Sequence, residues 1–200
     1  MAGAMPQPRD ARPMATLDTS GAGALIIDAA VARAWAGFHI PVRTTDDDVD
    51  LETGDGLAWR IDDTFDFDHP VTDYDRLCRR HLEEKAPVLI NELRDHAFAS
   101  ISDGSDMFCW WPELGVISAN ADWEPTADTV ARATFVRIGV INVPSGLIWL
   151  MNPCSHGAAV RAGDDGWAIE VNAGAYMVEA RPRDESDDNV LLVRLRKEPH

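Results

Sequence analysis

Carboxylates beside imidazoles are the first places to look for chemistry, because together they bind divalent cations or relay protons. Asp66, Asp68 and His69 put two acids and a ring within four positions. That cluster offers oxygen and nitrogen ligands to a metal, or forms a solvated strand edge. Asp46-Asp47-Asp48-Val49-Asp50 begins like a calcium loop, with oxygen ligands on alternate residues. Its sixth position is Leu51, where the turn needs Gly, and its twelfth is Leu57, where the bidentate Glu belongs. It is not an EF-hand. His39, His69, His81, His96, His156 and His200 form no HxH, HExxH or HxxxH pair. Cys154-Ser155-His156 sets a thiol two residues from an imidazole, but catalytic Cys/His pairs are assembled in space rather than along the chain.

Other motifs are missing too. No G-x-S-x-G occurs, and Gly21-Ala22-Gly23 lacks the third glycine and the Lys-Ser/Thr of a phosphate loop. Paired carboxylates need no motif, so a carboxylate-rich metal-binding or hydrolytic enzyme stays as an alternative. A β-rich module holding a small ligand among its tryptophans is another. The leading expectation is a non-enzyme with no cofactor, no catalytic residue and no metal.

Charge points to partners instead. Thirty-four acids face 18 Lys and Arg, a formal net charge of −16. Such a chain repels nucleic acids and anionic membranes and attracts basic proteins. Residues 44–68 hold ten of the acids and one cation, Arg60. Asp46, Asp47, Asp48, Asp50 and Glu52, supported by Asp66 and Asp68, are the candidate partner-binding residues. A solvated loop is the competing reading. Trp110 and Trp111 are adjacent, so in a strand they face opposite sides, and an exposed one is a candidate partner anchor.

Positioning these residues takes a folded scaffold, and 46 % apolar residues with seven Trp and six Phe supply its core. A buried Phe contributes about 1.5–3 kcal/mol. Cys78, Cys109 and Cys154 stand at no redox or metal spacing and read as reduced, packed thiols of a cytoplasmic protein. No apolar run reaches the ~18 residues of a membrane span. The first residues, with Pro6, Pro8 and Pro13, carry no signal-peptide core. Residues 1–16 read as a flexible tail, and 17–200 as one domain, with two lobes meeting near 123 as the alternative.

Periodicity predicts an α+β, strand-rich fold, mostly antiparallel, with two main helices. Ala24 to Ile27 reads as a strand, followed by a short helix from Ala29 to Ala36 capped by Asp28. Strands are expected at 57–61 and 65–68. Thr72 starts a helix over 73–85, whose apolar stripe is Tyr74, Leu77, Cys78 and Leu82. Pro87 to Asn91 and Ala97 to Ile101 form a candidate hairpin. Strands at 107–111 and 116–118 follow, then a helix over 126–133. Five more strands are expected at 135–143, 147–151, 167–171, 175–180 and 190–195. Gly23 to Ile27 and Ser145-Gly146 to Leu150 share a small-residue turn before an apolar strand, a hint of internal duplication.

Several of these segments resemble the immunity protein 21 family of bacterial polymorphic toxin systems. They are Ser20-Gly21 through Ile27 with Trp35-Ala36-Gly37, then Thr72-Asp73-Tyr74-Asp75-Arg76-Leu77-Cys78, similar to the family's D-Y-D-R-x-C motif. The hairpin from Val88 to Trp111 and on to Asp122 follows, and then Gly174-Ala175-Tyr176-Met177-Val178-Glu179 with Leu191 to Leu195. The resemblance covers most of the chain after Leu17, and the acids from Asp46 to Glu52 have no clear counterpart in it. It implies an immunity role: binding a cognate cytosolic toxin and neutralising it by steric and electrostatic occlusion. It brings no catalytic residues; the acidity of the chain adds the expectation of a toxin partner with a basic surface.

Overall fold

Five consecutive buried residues, Ala24–Asp28, make a strand covered on both faces. This strand lies inside a two-sheet sandwich. The computed structural model describes residues 15–19, 21–37, 73–120, 123–155, 157–160, 166–181 and 190–199. Among them the elements are β1 (Ala15–Asp18), β2 (Ala24–Asp28), α1 (Ala29–Ala32), α2 (Asp73–Glu84), β3 (Val88–Leu93), β4 (His96–Ile101), β5 (Met107–Trp111) and β6 (Val116–Ser118). Then come α3 (Ala127–Arg132), β7 (Val136–Val143), β8 (Leu147–Met151), β9 (Gly166–Glu170), β10 (Gly174–Arg181) and β11 (Leu192–Lys197). The fold is α+β and strand-rich, and every strand pair is antiparallel. Among the described residues no helix is long and apolar enough to cross a membrane.

One sheet has the order β1-β5-β6-β11-β10-β7 and the other β3-β4-β2-β8-β9. Alternate residues of both sheets meet in the main core, among them Leu17, Ile26, Phe108, Trp110, Ile117, Ile148, Val178 and Val193. At one side of the sandwich β7 lies against β3 and β4, and at the other β1 lies against β9. There the Trp167 indole donates to the Thr16 carbonyl at 2.8 Å. On the outer face of the six-stranded sheet Cys109, Trp111 and Val116 are covered by Val130 of α3 and by Phe135. Arg194 stacks over Phe135 at 4.0 Å and pairs with the Glu179 carboxylate at 2.8 Å. Trp110 and Trp111 do face opposite sides, but each meets a core, so neither is an exposed anchor.

The strand wiring repeats within the chain. β1 pairs with β5, β5 with β6, and β2 with β4. In the same order β7 pairs with β10, β10 with β11, and β8 with β9. The two halves join where each strand meets its own counterpart: β2 on β8, and β6 on β11. Local detail follows the wiring. Gly23 (φ 85°) and Gly146 (φ 71°) precede β2 and β8, and a Cβ there would approach the carbonyls of Ile101 and Val171 at the ends of β4 and β9. Only glycine takes this left-handed geometry readily at so close an approach. After the two strands, Asp28 and Asn152 each accept from the backbone N–H two residues on, at 2.8 and 2.9 Å. The internal repeat hinted at by Gly23 and Gly146 is therefore a property of the topology, and both halves contribute to both sheets.

Three expectations change. The chain enters the six-stranded sheet at Ala15, earlier than Leu17, through β1 on β5. The short helix ends at Ala32 rather than Ala36. The stripe of α2 turns as well: Tyr74, Leu77 and His81 are buried, while Leu82 is 65 % exposed. Steps of three and four lead from Tyr74 to Leu77 and on to His81 at the centre of the face, while Cys78, four from Tyr74, falls at its edge. The expected strands at 57–61 and 65–68 lie outside the described residues.

Candidate functional site

The insertion between β2 and β4 has no equivalent in the second half. It comprises α1, residues 38–72, α2 and β3. Asp46, Asp47, Asp48, Asp50, Glu52, Asp66 and Asp68 all fall in 38–72 and so lie outside the described residues. Both ends of that segment are held together. The Ala36 N–H donates to the Asp73 carboxylate at 3.3 Å, so the chain leaves and returns at one point.

That point is built on Trp35, which is 2 % exposed. Its indole donates to the Pro153 carbonyl at 2.8 Å, and its ring meets Phe98 edge-on at 5.7 Å. The Gly157 N–H donates to the Trp35 carbonyl at 2.9 Å. Gly37 (φ 65°) completes the W-A-G segment, since a Cβ there would lie 2.7 Å from the carbonyls of Cys154 and Ser155. Tyr74 and Leu77 of α2 bury themselves in the same cluster with Leu25, Ile27, Phe98 and Met151. Cys78 and Cys154 pack against it, and the Tyr74 hydroxyl hydrogen-bonds both thiols. Burial raises the Tyr74 hydroxyl above the ordinary phenol range and pushes the Cys154 thiol up to about 11. Both groups stay neutral and serve packing, as read for Tyr74 and Cys78 in the sequence. Asp73 braces the junction, and Arg76 reaches it at 3.4 Å while remaining largely exposed.

A second polar group fixes α2 to the sheet. His81 Nδ1 faces the Ala86 carbonyl at 2.7 Å, and Nε2 faces Ser100 Oγ at 2.8 Å. The carbonyl assigns the proton to Nδ1, so Nε2 accepts from the serine hydroxyl. The Asn91 side-chain amide donates to the same Oγ at 2.8 Å, and Arg80 donates to Asn91 Oδ1 at 2.9 Å. A base on a serine is the geometry of an activated nucleophile. Ser100 is fully buried beneath α2, though, so no substrate carbonyl reaches it. The network pins the helix. Burial lowers the His81 pKa from its ordinary value, the largest of its causes. Nothing in the local sequence flags the pair, which is nineteen residues apart; the only signal is a histidine four residues past Leu77.

A third group sits at the start of α1. Asp28 caps the helix and accepts from the backbone N–H and the hydroxyl of Ser145 at 3.0 and 2.6 Å. Its carboxylate thereby ties the first half to the β7–β8 turn of the second. Beside it is a cavity of about 180 Å³, walled by α1, Pro144 and the β3–β4 hairpin.

Among the described residues no three His, Cys, Asp or Glu gather as metal ligands. The possible site at Asp66, Asp68 and His69 lies outside them, as does His156 of the Cys154-Ser155-His156 run. No protein-family model, curated protein or solved structure matches the chain.

Proposed function

We propose that this protein is an immunity protein that binds a cognate toxin in the cytoplasm and neutralises it by steric and electrostatic occlusion. The observation that carries this reading is the placement of charge. Ten of the 34 acids fall in residues 44–68, within an insertion that the other half of the repeat lacks. The insertion is closed at its base by the Ala36–Asp73 contact and the buried Trp35. So much negative charge concentrated in one insertion suits a basic protein surface, such as the cleft of a toxin that acts on phosphates. Asp46, Asp47, Asp48, Asp50 and Glu52 make first contact, and Asp66 and Asp68 extend the field. The likeness of Trp35-Ala36-Gly37 and Asp73 to Cys78 to immunity protein 21 supports the same reading, because those residues build the base.

Steering by charge acts on the association rate. Toxin and protein mixed in a stopped-flow instrument should associate more slowly as salt rises. Replacing Asp46, Asp47 and Asp48 with Asn should lower the rate about tenfold at low salt, with little change in dissociation. An association rate indifferent to both salt and substitution would place the interface elsewhere.

A further inference from the structure

The β3–β4 hairpin turns in two residues, Arg94 and Asp95, between the closing pair Leu93 and His96. Such turns hold both residues at positive φ and favour Asn-Gly for that reason. Here Arg94 (φ 50°) and Asp95 (φ 65°) adopt it with full side chains. Backbone strain of this kind persists where something else fixes the geometry, and it clusters at binding sites. The strained turn puts Arg94 and His96 on the rim of the 180 Å³ cavity. Both are exposed, and neither makes a side-chain hydrogen bond or ion pair among the described residues. Val31, Ala34 and Pro144 supply an apolar wall opposite them. The Asp28 carboxylate lies at the buried end, already engaged by three donors.

We propose that this notch binds a carboxylate carried on a short apolar stem, such as a glutamate side chain or a small aliphatic acid. Arg94 forms the ion pair, since its planar guanidinium matches a carboxylate with two parallel hydrogen bonds. His96 adds a donor from the same rim. The apolar wall takes the methylene stem, and a cavity of this size suits a group of a few carbons; an engineered one of about 150 Å³ takes benzene. Asp28 argues against a dianion, because a phosphate would bring a second negative charge toward a buried one. The notch takes a negative ligand, whereas residues 44–68 suit a positive one, so the inference stands apart from the toxin-binding reading and its test needs no toxin.

The test is a titration of the full chain followed by amide chemical shifts, at constant ionic strength. Two probes separate the sources of the carboxylate: sodium propionate, and a capped Gly-Glu-Gly peptide. Saturable shifts confined to 28–34, 93–97 and 145, the residue after Pro144, with either probe support the site. Propionate alone points to a free acid, and the peptide alone to a partner's side chain. Arg94→Gln should weaken binding about tenfold or more. Ala34→Leu, which fills the cavity and leaves both rim groups in place, should abolish it. The spectra themselves report whether each variant is folded. Shifts that never saturate, equal affinity in Arg94→Gln or Ala34→Leu, or phosphate binding as tightly as propionate would each overturn the proposal.

Discussion

The two halves of the repeat share a strand plan and differ in one place. In the first, the connection from β2 to β4 carries α1, residues 38–72, α2 and β3; in the second, β8 reaches β9 through residues 152–165. The shared part accounts for the sandwich and its core. The acid run, the His81–Ser100 network, the Tyr74 hydroxyl with its two thiols and the Arg94 notch all belong to the insertion or border it. An insertion that merely decorated a finished fold would need no buried anchor. This one places Trp35, Tyr74 and Leu77 in a second core shared with Leu25, Ile27, Phe98 and Met151 of the sheet and sends Trp35 across to Pro153 of the other half. The difference between the halves is thus structurally part of the whole.

Trp35→Ala tests that integration most severely. It deletes a buried ring, its edge contact with Phe98 and the hydrogen bond to Pro153. Large-to-small changes of this kind cost about 3–5 kcal/mol. Urea unfolding followed by circular dichroism should show the loss in a single transition, because the contact joins both halves. Phe135→Ala is the counterpart on the six-stranded sheet, where the ring is only half-buried under Arg194. It should cost roughly 1–2 kcal/mol. Equal losses, or a separate early transition for Trp35→Ala, would show the insertion to be an appendage.

A smaller effect separates α2 from the rest by pH. Folded His81 takes up a proton less readily than the ordinary imidazole of 6.5, chiefly because it is buried. Below that value the unfolded chain binds more protons than the folded one, so stability falls as the pH falls toward the lowered folded value. Above it the full contribution is present. The slope from one such group is at most about 1.4 kcal/mol per pH unit. The informative quantity is the difference between the wild type and His81→Gln. The gap in urea midpoint between them should be widest near pH 7 and shrink toward pH 5. A constant gap would mean that folded His81 takes up its proton as readily as the unfolded chain does.

Much of this architecture is legible in the sequence. Alternation and glycines located β2 to β11 to within a few residues, because a two-sided core demands continuous apolar strands. β1 escaped, since Ala15 to Asp18 is short, follows a proline-rich start and holds its place through the Trp167–Thr16 bond to β9. The repeat was visible only at Gly23 and Gly146, where geometry forces the residue; elsewhere the halves preserve pairing rather than sequence. The His81–Ser100–Asn91 network and the Arg94–His96 rim were not legible. Both are assembled across elements, and neither leaves a spacing signal along the chain.

The smallest expected effect concerns the face of α2, and it decides between two readings of one helix. A stripe of Tyr74, Leu77, Cys78 and Leu82 would bury Leu82 and leave His81 in water. In the structure Leu82 is 65 % exposed and His81 is buried. Leu82→Gln should therefore change stability by less than about 0.5 kcal/mol, since exposed positions away from caps and networks tolerate substitution and the two residues have similar helix propensity. A loss of about 2 kcal/mol or more, the cost of removing a buried leucine, would return Leu82 to the interface and turn His81 outward. That outcome would also remove the pH-dependent gap, because a solvated His81 has no reason to resist protonation. The two measurements stand or fall together, and both ask whether the insertion is fastened to the sheet by a buried polar pair that the second half does without.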